Sequence, residues 1–209
     1  MKVTKFGHSC LLVEDGDARL LLDPGTFSAG FEDLTGLTAV LVTHQHPDHL
    51  DRDKLPGLLE RNPDARLHTD PDTAAQLADA GIEAAATRAG DTLDLGTEVR
   101  VFGRDHAVIH PDIPIVSNTG YLVGGRLFHP GDAFTVPDAE VEILGLPTAA
   151  PWQKVSEAID YLRAVAPRVA IPIHEKIVAV PGMYYARFTQ LGPAGTEVRV
   201  VDDGTSTDV

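Results

Sequence analysis

Residues 42–51 read VTHQHPDHLD, with three histidines and two aspartates in ten positions behind the apolar run Val40–Val42. In an extended segment, residues two apart point the same way, so His44 and His46 can reach one cation. Pro47 turns the chain, and Asp48 and His49 can then face a second point nearby. Imidazole nitrogens and carboxylate oxygens are the ligand set of zinc, iron or manganese. The absence of cysteine suits a catalytic rather than a structural zinc site. The bland alternative is a solvated loop, since nine histidines in 209 residues make some neighbours by chance. Three within six positions at a strand end favour metal.

A catalytic metal needs at least three protein ligands. Four further places fit. His106 ends TEVRVFGRDH, Asp132 sits in LFHPGDA, His174 ends RVAIPIH and Asp23 ends ARLLLD. Each stands where an apolar strand opens into a loop, and such positions can converge at one edge of a layered sheet. The stretch DHAVIHPDIP offers both His106 and His110 for one ligand place. His106 ends the strand, and His110 would then line the pocket with Asp112 or be a plain loop residue. His8, in FGHSC, reads as a support behind a ligand, a substrate contact or a structural histidine. His129 reads as a packed strand end, and His68 as facing solvent or a neighbouring strand. Glu175 reads as a surface residue and Trp152 as core packing at a helix start. Gly131 permits a tight turn that presents Asp132.

The 209 residues suit a single domain, 1–209, with 203–209 as a frayed polar tail. The net charge of −14, with the 17 Lys and Arg scattered, disfavours nucleic acid and anionic membrane as partners. The one cysteine, Cys10, excludes an internal disulfide and reads as a buried, inert thiol. No signal-peptide pattern opens the sequence, and no apolar run approaches the ~18 residues that span a bilayer. A cytoplasmic protein is expected, acting on a small molecule, with a homo-oligomer open.

Short runs rich in Val, Ile, Leu, Phe and Thr, punctuated by Gly, Asp and Pro, predict strands. They fall at 3–6, 10–14, 19–23, 39–43, 66–69, 97–104, 119–123, 126–129, 141–146, 168–173 and 197–201. Turns at Asp15–Asp17 and Gly124–Gly125 predict two hairpins. Helices are expected at 71–81, 152–166, 54–61 and 182–191. Strands in runs with helices between some of them predict an α+β layered fold.

The stretch Thr43–His49, THQHPDH, resembles the His-x-His-x-Asp-His signature of the metallo-β-lactamase superfamily. Asp23, His106, Asp132 and His174 follow the order of that family's other motifs, so the likeness covers about residues 2–175. The opening KFGHSCLLVEDGDARLLLDPG is similar to a small branch that includes ascorbate-phosphate lactonase-like hydrolases. The resemblance implies a four-layer αβ/βα sandwich, two facing mixed sheets with helices outside and metals at one edge. It implies that His44, His46 and His106 hold one cation and that Asp48, His49 and His174 hold a second. Asp132 would bridge them, and Asp23 would orient an imidazole through its free N–H. The family spacing also favours His106 over His110.

The activity so implied is that of a hydrolase. Two divalent ions, zinc foremost with manganese or iron as substitutes, would share a hydroxide that attacks a small ester, lactone or phosphoester. Asp132 would fix the metal pair, and Asp48 would also accept a proton. The commonest true lactamases carry cysteine at the Asp132 place, which disfavours β-lactam cleavage. Three alternatives are a mononuclear iron oxygenase on the same scaffold, a phosphodiesterase or nuclease, and a non-catalytic metal-binding protein. The oxygenase would use two histidines and Asp132.

Overall fold

The computed structural model, which describes residues 1–209, divides neighbouring leucines between two cores. In strand β3 (Ala18–Leu22), Leu20 and Leu22 enter one cluster and Leu21 another. Successive side chains of a strand point to opposite faces, so a strand apolar on both faces must be covered on both.

The first half of the chain runs β1 (Lys2–Lys5), β2 (Leu11–Asp15), β3, β4 (Ala39–Leu41), α1 (Leu55–Arg61), β5 (Arg66–Thr69), α2 (Pro71–Asp79) and β6 (Ala85–Ala86). The second runs β7 (Thr92–Asp94), β8 (Glu98–Phe102), β9 (Gly120–Val123), β10 (Leu127–His129), β11 (Ile143–Pro147), α3 (Val155–Val165), β12 (Val169–Ile173), α4 (Gly182–Leu191) and β13 (Glu197–Val198). A last strand, β14 (Ser206–Asp208), returns to the first sheet.

One sheet has the order β14-β1-β2-β3-β4-β5-β6 and the other β13-β12-β11-β10-β9-β8-β7. In each, three antiparallel pairings give way to three parallel ones. The core between the sheets holds Val13, Leu22 and Leu41 from one and Val101, Tyr121 and Ile171 from the other. Outside the first sheet, Leu12, Leu21 and Val40 pack with Leu55, Leu58 and Leu77 of α1 and α2. Outside the second, Phe128 and Leu144 pack with Ile159 and Leu162 of α3 and Phe188 of α4. Truncating one such buried leucine to alanine costs about 2–5 kcal/mol. The α+β four-layer sandwich expected from the sequence is the fold found.

The pairing pattern aims the site. β1, β3, β4 and β5 run in one direction, as do β8, β10, β11 and β12. The carboxyl ends of each set therefore open at a single sheet edge.

Both expected hairpins and all four helices form, with ends shifted by a few residues. The tail is a correction. Residues 206–208 are not frayed but pair with β1, Lys2 facing Asp208 and Thr4 facing Ser206. Without them β1 would be a bare sheet edge. Arg126 anchors the end by donating from Nη2 to the Val209 carbonyl at 2.9 Å. β6 and β7 are also additions to the expected set.

Candidate metal centre

Six strand ends deliver the polar cluster. Residues 44–49 follow β4, Asp23 follows β3, His8 follows β1, His106 follows β8, Asp132 follows β10 and His174 follows β12. Two groups form, His44, His46, His106 and Asp132, and His8, Asp48, His49 and His174, each with ligand atoms within 4.8 Å of one another. Asp132 also touches the second group, with Oδ1 3.1 Å from His49 Nε2 and Oδ2 3.2 Å from His174 Nε2.

Hydrogen bonds behind the cluster decide which ring nitrogen faces inward. His49 donates from Nδ1 to Asp23 Oδ2 at 2.6 Å. His106 donates from Nδ1 to the Ala107 carbonyl and His174 from Nδ1 to the Ala149 carbonyl, both at 2.6 Å. Thr43 Oγ1 donates to Asp23 Oδ2 at 2.8 Å and accepts from His44 Nδ1 at 3.0 Å. Each of these imidazoles is thus tied at Nδ1 and turns Nε2 inward, unpartnered in His49, His106 and His174 and 3.1 Å from His46 Nδ1 in His44, the arrangement by which outer partners orient metal-binding histidines. His8 is wired the other way. Its Nδ1 accepts from the Lys176 N–H at 3.3 Å, so Nε2 carries the proton and donates to Asp48 Oδ2 at 3.1 Å. Its place is to hold Asp48 rather than to offer a lone pair.

The residues fit a bound cation pair. His49 Nε2, His106 Nε2, His174 Nε2 and Asp132 Oδ1 are buried and have no hydrogen-bond partner. A buried polar atom without a partner costs about 1–3 kcal/mol, so four at one point call for a ligand. Electrostatics agree. Burial disfavours charge on His174, yet Asp132 and Asp48 overcome it and raise its pKa to about 9. His49 is raised well above the ordinary range against the same penalty, by Asp132 and Asp23. Burial works against the Asp48 and Asp132 carboxylates too, but the facing histidines hold both well below the usual carboxylate range. The carboxylates draw positive charge into a buried place. Burial lowers His44, keeping its ring neutral.

Close backbone contacts fix the loops. At Gly25 an added Cβ would fall inside the Asp48 backbone carbonyl, so the loops after β3 and β4 touch only because this residue is glycine. Gly131 has φ +63°, and its Cβ would collide with Asn118 Oδ1 and Thr43. Asn118 Oδ1 accepts from the Asp132 N–H and its Nδ2 donates to the Pro130 carbonyl, both at 2.9 Å, so the turn presenting Asp132 is clamped.

All seven residues expected as ligands meet, and Asp23 stands behind them. Of the His106 and His110 pair, His106 enters the cluster. His110 neither lies behind it nor lines its cavity; its side chain is 60% exposed, with Asp112 beside it in solvent. Two other expectations are corrected. Trp152 is not core filling: its indole Nε1 donates to Asp132 Oδ2 at 2.8 Å, and it walls the cavity over the cluster. Glu175 is buried, not on the surface, and pairs at 2.8 Å with Lys5 Nζ, which also donates to the Pro172 carbonyl. That pair binds the end of β1 to the end of β12, fixing the supports of His8 and His174. Of the two places expected for His68, solvent or a neighbouring strand, the second is found: it is buried in β5 between β4 and β6, with neither ring nitrogen bonded. His129 is a packed strand end as expected, donating from Nε2 to the Ser9 carbonyl. Asn118 was missed; its bond to Asp132 spans 14 positions and leaves no local signal. A cavity of about 300 Å³ opens over the cluster between Phe27, Trp152 and Ile177.

The sequence model of the family described as "Beta-lactamase superfamily domain" matches residues 2–174. Protein Rv0786c of Mycobacterium tuberculosis is 57% identical over 199 residues, 91% of this chain and 92% of that one. A "UPF0173 metal-dependent hydrolase" of Alkaliphilus metalliredigens is 27% identical over 192 residues, 83% and 85% of the two chains. Among solved structures, Igni18, a metallo hydrolase of Ignicoccus hospitalis, superposes with a TM-score of 0.77 at 20% identity, covering 99% of this chain and 97% of that one. CmlA, a diiron β-hydroxylase of Streptomyces venezuelae, superposes at 0.68 with 19% identity, covering 83% of this chain and 44% of its own. With its fold and the length of the sequence match, the chain belongs to the metallo-β-lactamase superfamily.

Proposed function

We propose that this metal-dependent hydrolase holds a pair of divalent cations, zinc foremost with manganese or iron as substitutes, and cleaves a small ester, lactone or phosphoester. The observation that carries the reading is the convergence of three unpartnered imidazole Nε2 atoms and one Asp132 oxygen at a single buried point. His44, His46 and His106 would hold one cation, Asp48, His49 and His174 the other, and Asp132 would touch both. Such a pair, when bound, supplies activation of water at neutral pH and polarisation of the substrate oxygen.

The protein's own groups do the rest. The Trp152 N–H and the Asn118 clamp fix Asp132 from two sides. His8 Nε2–H occupies Asp48 Oδ2 and leaves Oδ1 without a protein hydrogen bond. Asp48 is more open to the cavity than Asp132, which supports its taking the proton of the attacking water. The water oxygen bonds to the acyl carbon or phosphorus, the ester C–O or P–O bond breaks, and the proton passes to the leaving oxygen. Phe27 and Ile177 wall the cavity and limit bulk water.

The test is metal analysis of purified protein, with turnover of lactones, esters and phosphodiesters by zinc- and manganese-loaded samples. Two equivalents of metal and chelator-sensitive hydrolysis are expected, largely lost in Asp132→Asn. No bound transition metal, or full activity in that variant, would end the reading. An iron oxygenase is the second reading, prompted by the diiron β-hydroxylase that shares the fold. Its mononuclear form would leave Asp48 and His49 idle, and their place in a complete second group supports hydrolysis instead. Iron content with oxygen consumption would revive it.

A further inference from the structure

The cavity over the cluster shares two wall residues, Ile177 and Pro151, with a neighbour. Both residues also belong to a second hollow, of about 530 Å³, between the loop after β11 and the start of α4. That size falls within the range of small-molecule sites. Its walls are mainly apolar, with Val155, Met183 and Tyr184 joining the two shared residues. Met183 is 67% exposed and Ile177 41%. Large apolar side chains clustered in the open cost solubility and mark a contact surface.

Two cations border this groove and no carboxylate lines it, in a chain of net charge −14. Arg187 has no acidic partner, and its Nη1 donates only to Gln190 Oε1 at 2.7 Å. Lys154 Nζ is 4.0 Å from Glu157 Oε1, a loose pair, while the Glu157 carboxylate accepts from the Lys154 backbone N–H at 2.7 Å. The groove lies where α4 fully buries only Phe188 and leaves Gly182 and Met183 at its start exposed.

From these shared walls and the two cations we infer that the groove seats an apolar arm of the substrate that ends in an anionic group. The inference rests on the hydrolase reading and names the substrate class of that site. The scissile bond lies over the cluster, the arm crosses between Pro151 and Ile177, and its anionic end meets Lys154 and Arg187.

The experiment uses metal-loaded full-length protein and nitrophenyl esters from acetate to decanoate, each with and without a terminal carboxylate. The value of kcat/KM rises about two- to fourfold per added methylene as apolar surface is buried. It rises further with the terminal carboxylate. M183E, at an exposed position, flattens the chain-length dependence, and the double variant K154E/R187E removes the carboxylate preference. A flat profile in the wild type, or variants that behave like it, would overturn the inference while leaving the hydrolase reading intact. If no ester turns over, the lactone and phosphodiester assays decide that reading, and calorimetry with decanoate and decylamine decides the groove. Tighter decanoate binding, weakened at least tenfold by M183E, upholds the inference; equal or absent binding ends it. A dimer that M183E dissociates would assign the groove to a second copy of this chain and likewise overturn it.

Discussion

Strands β1–β6 and β7–β13 follow one plan, yet they supply the cluster differently. The first half places four of its residues in one loop after β4. The second sends one residue each from the ends of β8, β10 and β12. Matching strands carry related residues to different uses. Asp23 follows β3 directly and stays behind the cluster, fully buried, bonded to Thr43 and His49. Asp132 follows the matching β10 after Pro130 and Gly131, and those extra residues carry it into the centre. Asp70, after β5, caps α2 by accepting from the Asp72 and Thr73 N–H groups. His174, after the matching β12, enters the cluster. Topology supplies an opening at every such strand end, while loop length and residue type decide whether it is spent on a metal, a helix cap or a support.

If the second half is an equal contributor, removing its central residue should cost most. Asp132→Ala is expected to lower kcat by at least about 10³-fold, with metal content falling in both groups. A variant that loses one equivalent of metal and keeps substantial turnover would show that the loop after β4 suffices. Asp23→Asn probes the supporting carboxylate of the first half. It should weaken metal affinity about 10- to 100-fold in a chelator competition, with the fold retained by circular dichroism.

Trp152→Phe removes the second half's matching support on Asp132. A hydrogen bond to a charged group is worth about 1.5–3 kcal/mol, so affinity should fall about tenfold or more. Trp152 is also the chain's one tryptophan, so wild-type emission should change as metal is added. Unchanged emission would detach it from the centre. The smallest effect lies at the far end of the second sheet. Bonds from Arg126 and Arg168 hold the half-buried Glu142 carboxyl down to about 2. A lowered folded pKa gives stability above about 4.5 that is lost as pH falls toward 2. The melting temperature of Glu142→Gln should lie slightly below wild type at pH 6 and converge with it in acid.

Much of the site was legible because its residues terminate apolar strands. Periodicity located the strands, and the polar residue at each end stood out against them. Helix α4 was legible to the residue, Gly182–Leu191. The short strands β6, β7 and β14 were not, because two or three mixed residues make no period. What stayed hidden was contact across the fold. Trp152 looks like core filling until Asp132, 20 positions away, lies beside its indole nitrogen. Glu175 looks like a surface acid until Lys5 meets it from the other sheet. His106 and His110 differ only in which one the loop carries back to the sheet edge.

The pairing of β14 with β1 brings the two ends of the polypeptide side by side, with Val209 bonded to Met1. The chain is therefore close to a closed ring. A short linker joining the ends, with a new opening at the exposed turn Ala89–Gly90, would preserve every ladder, and circular permutants opened at such turns are commonly tolerated. In the rearranged order each sheet is one unbroken stretch of sequence. The two stretches could then be produced as separate fragments, each incomplete as a metal binder, and ion capture would report their reassembly.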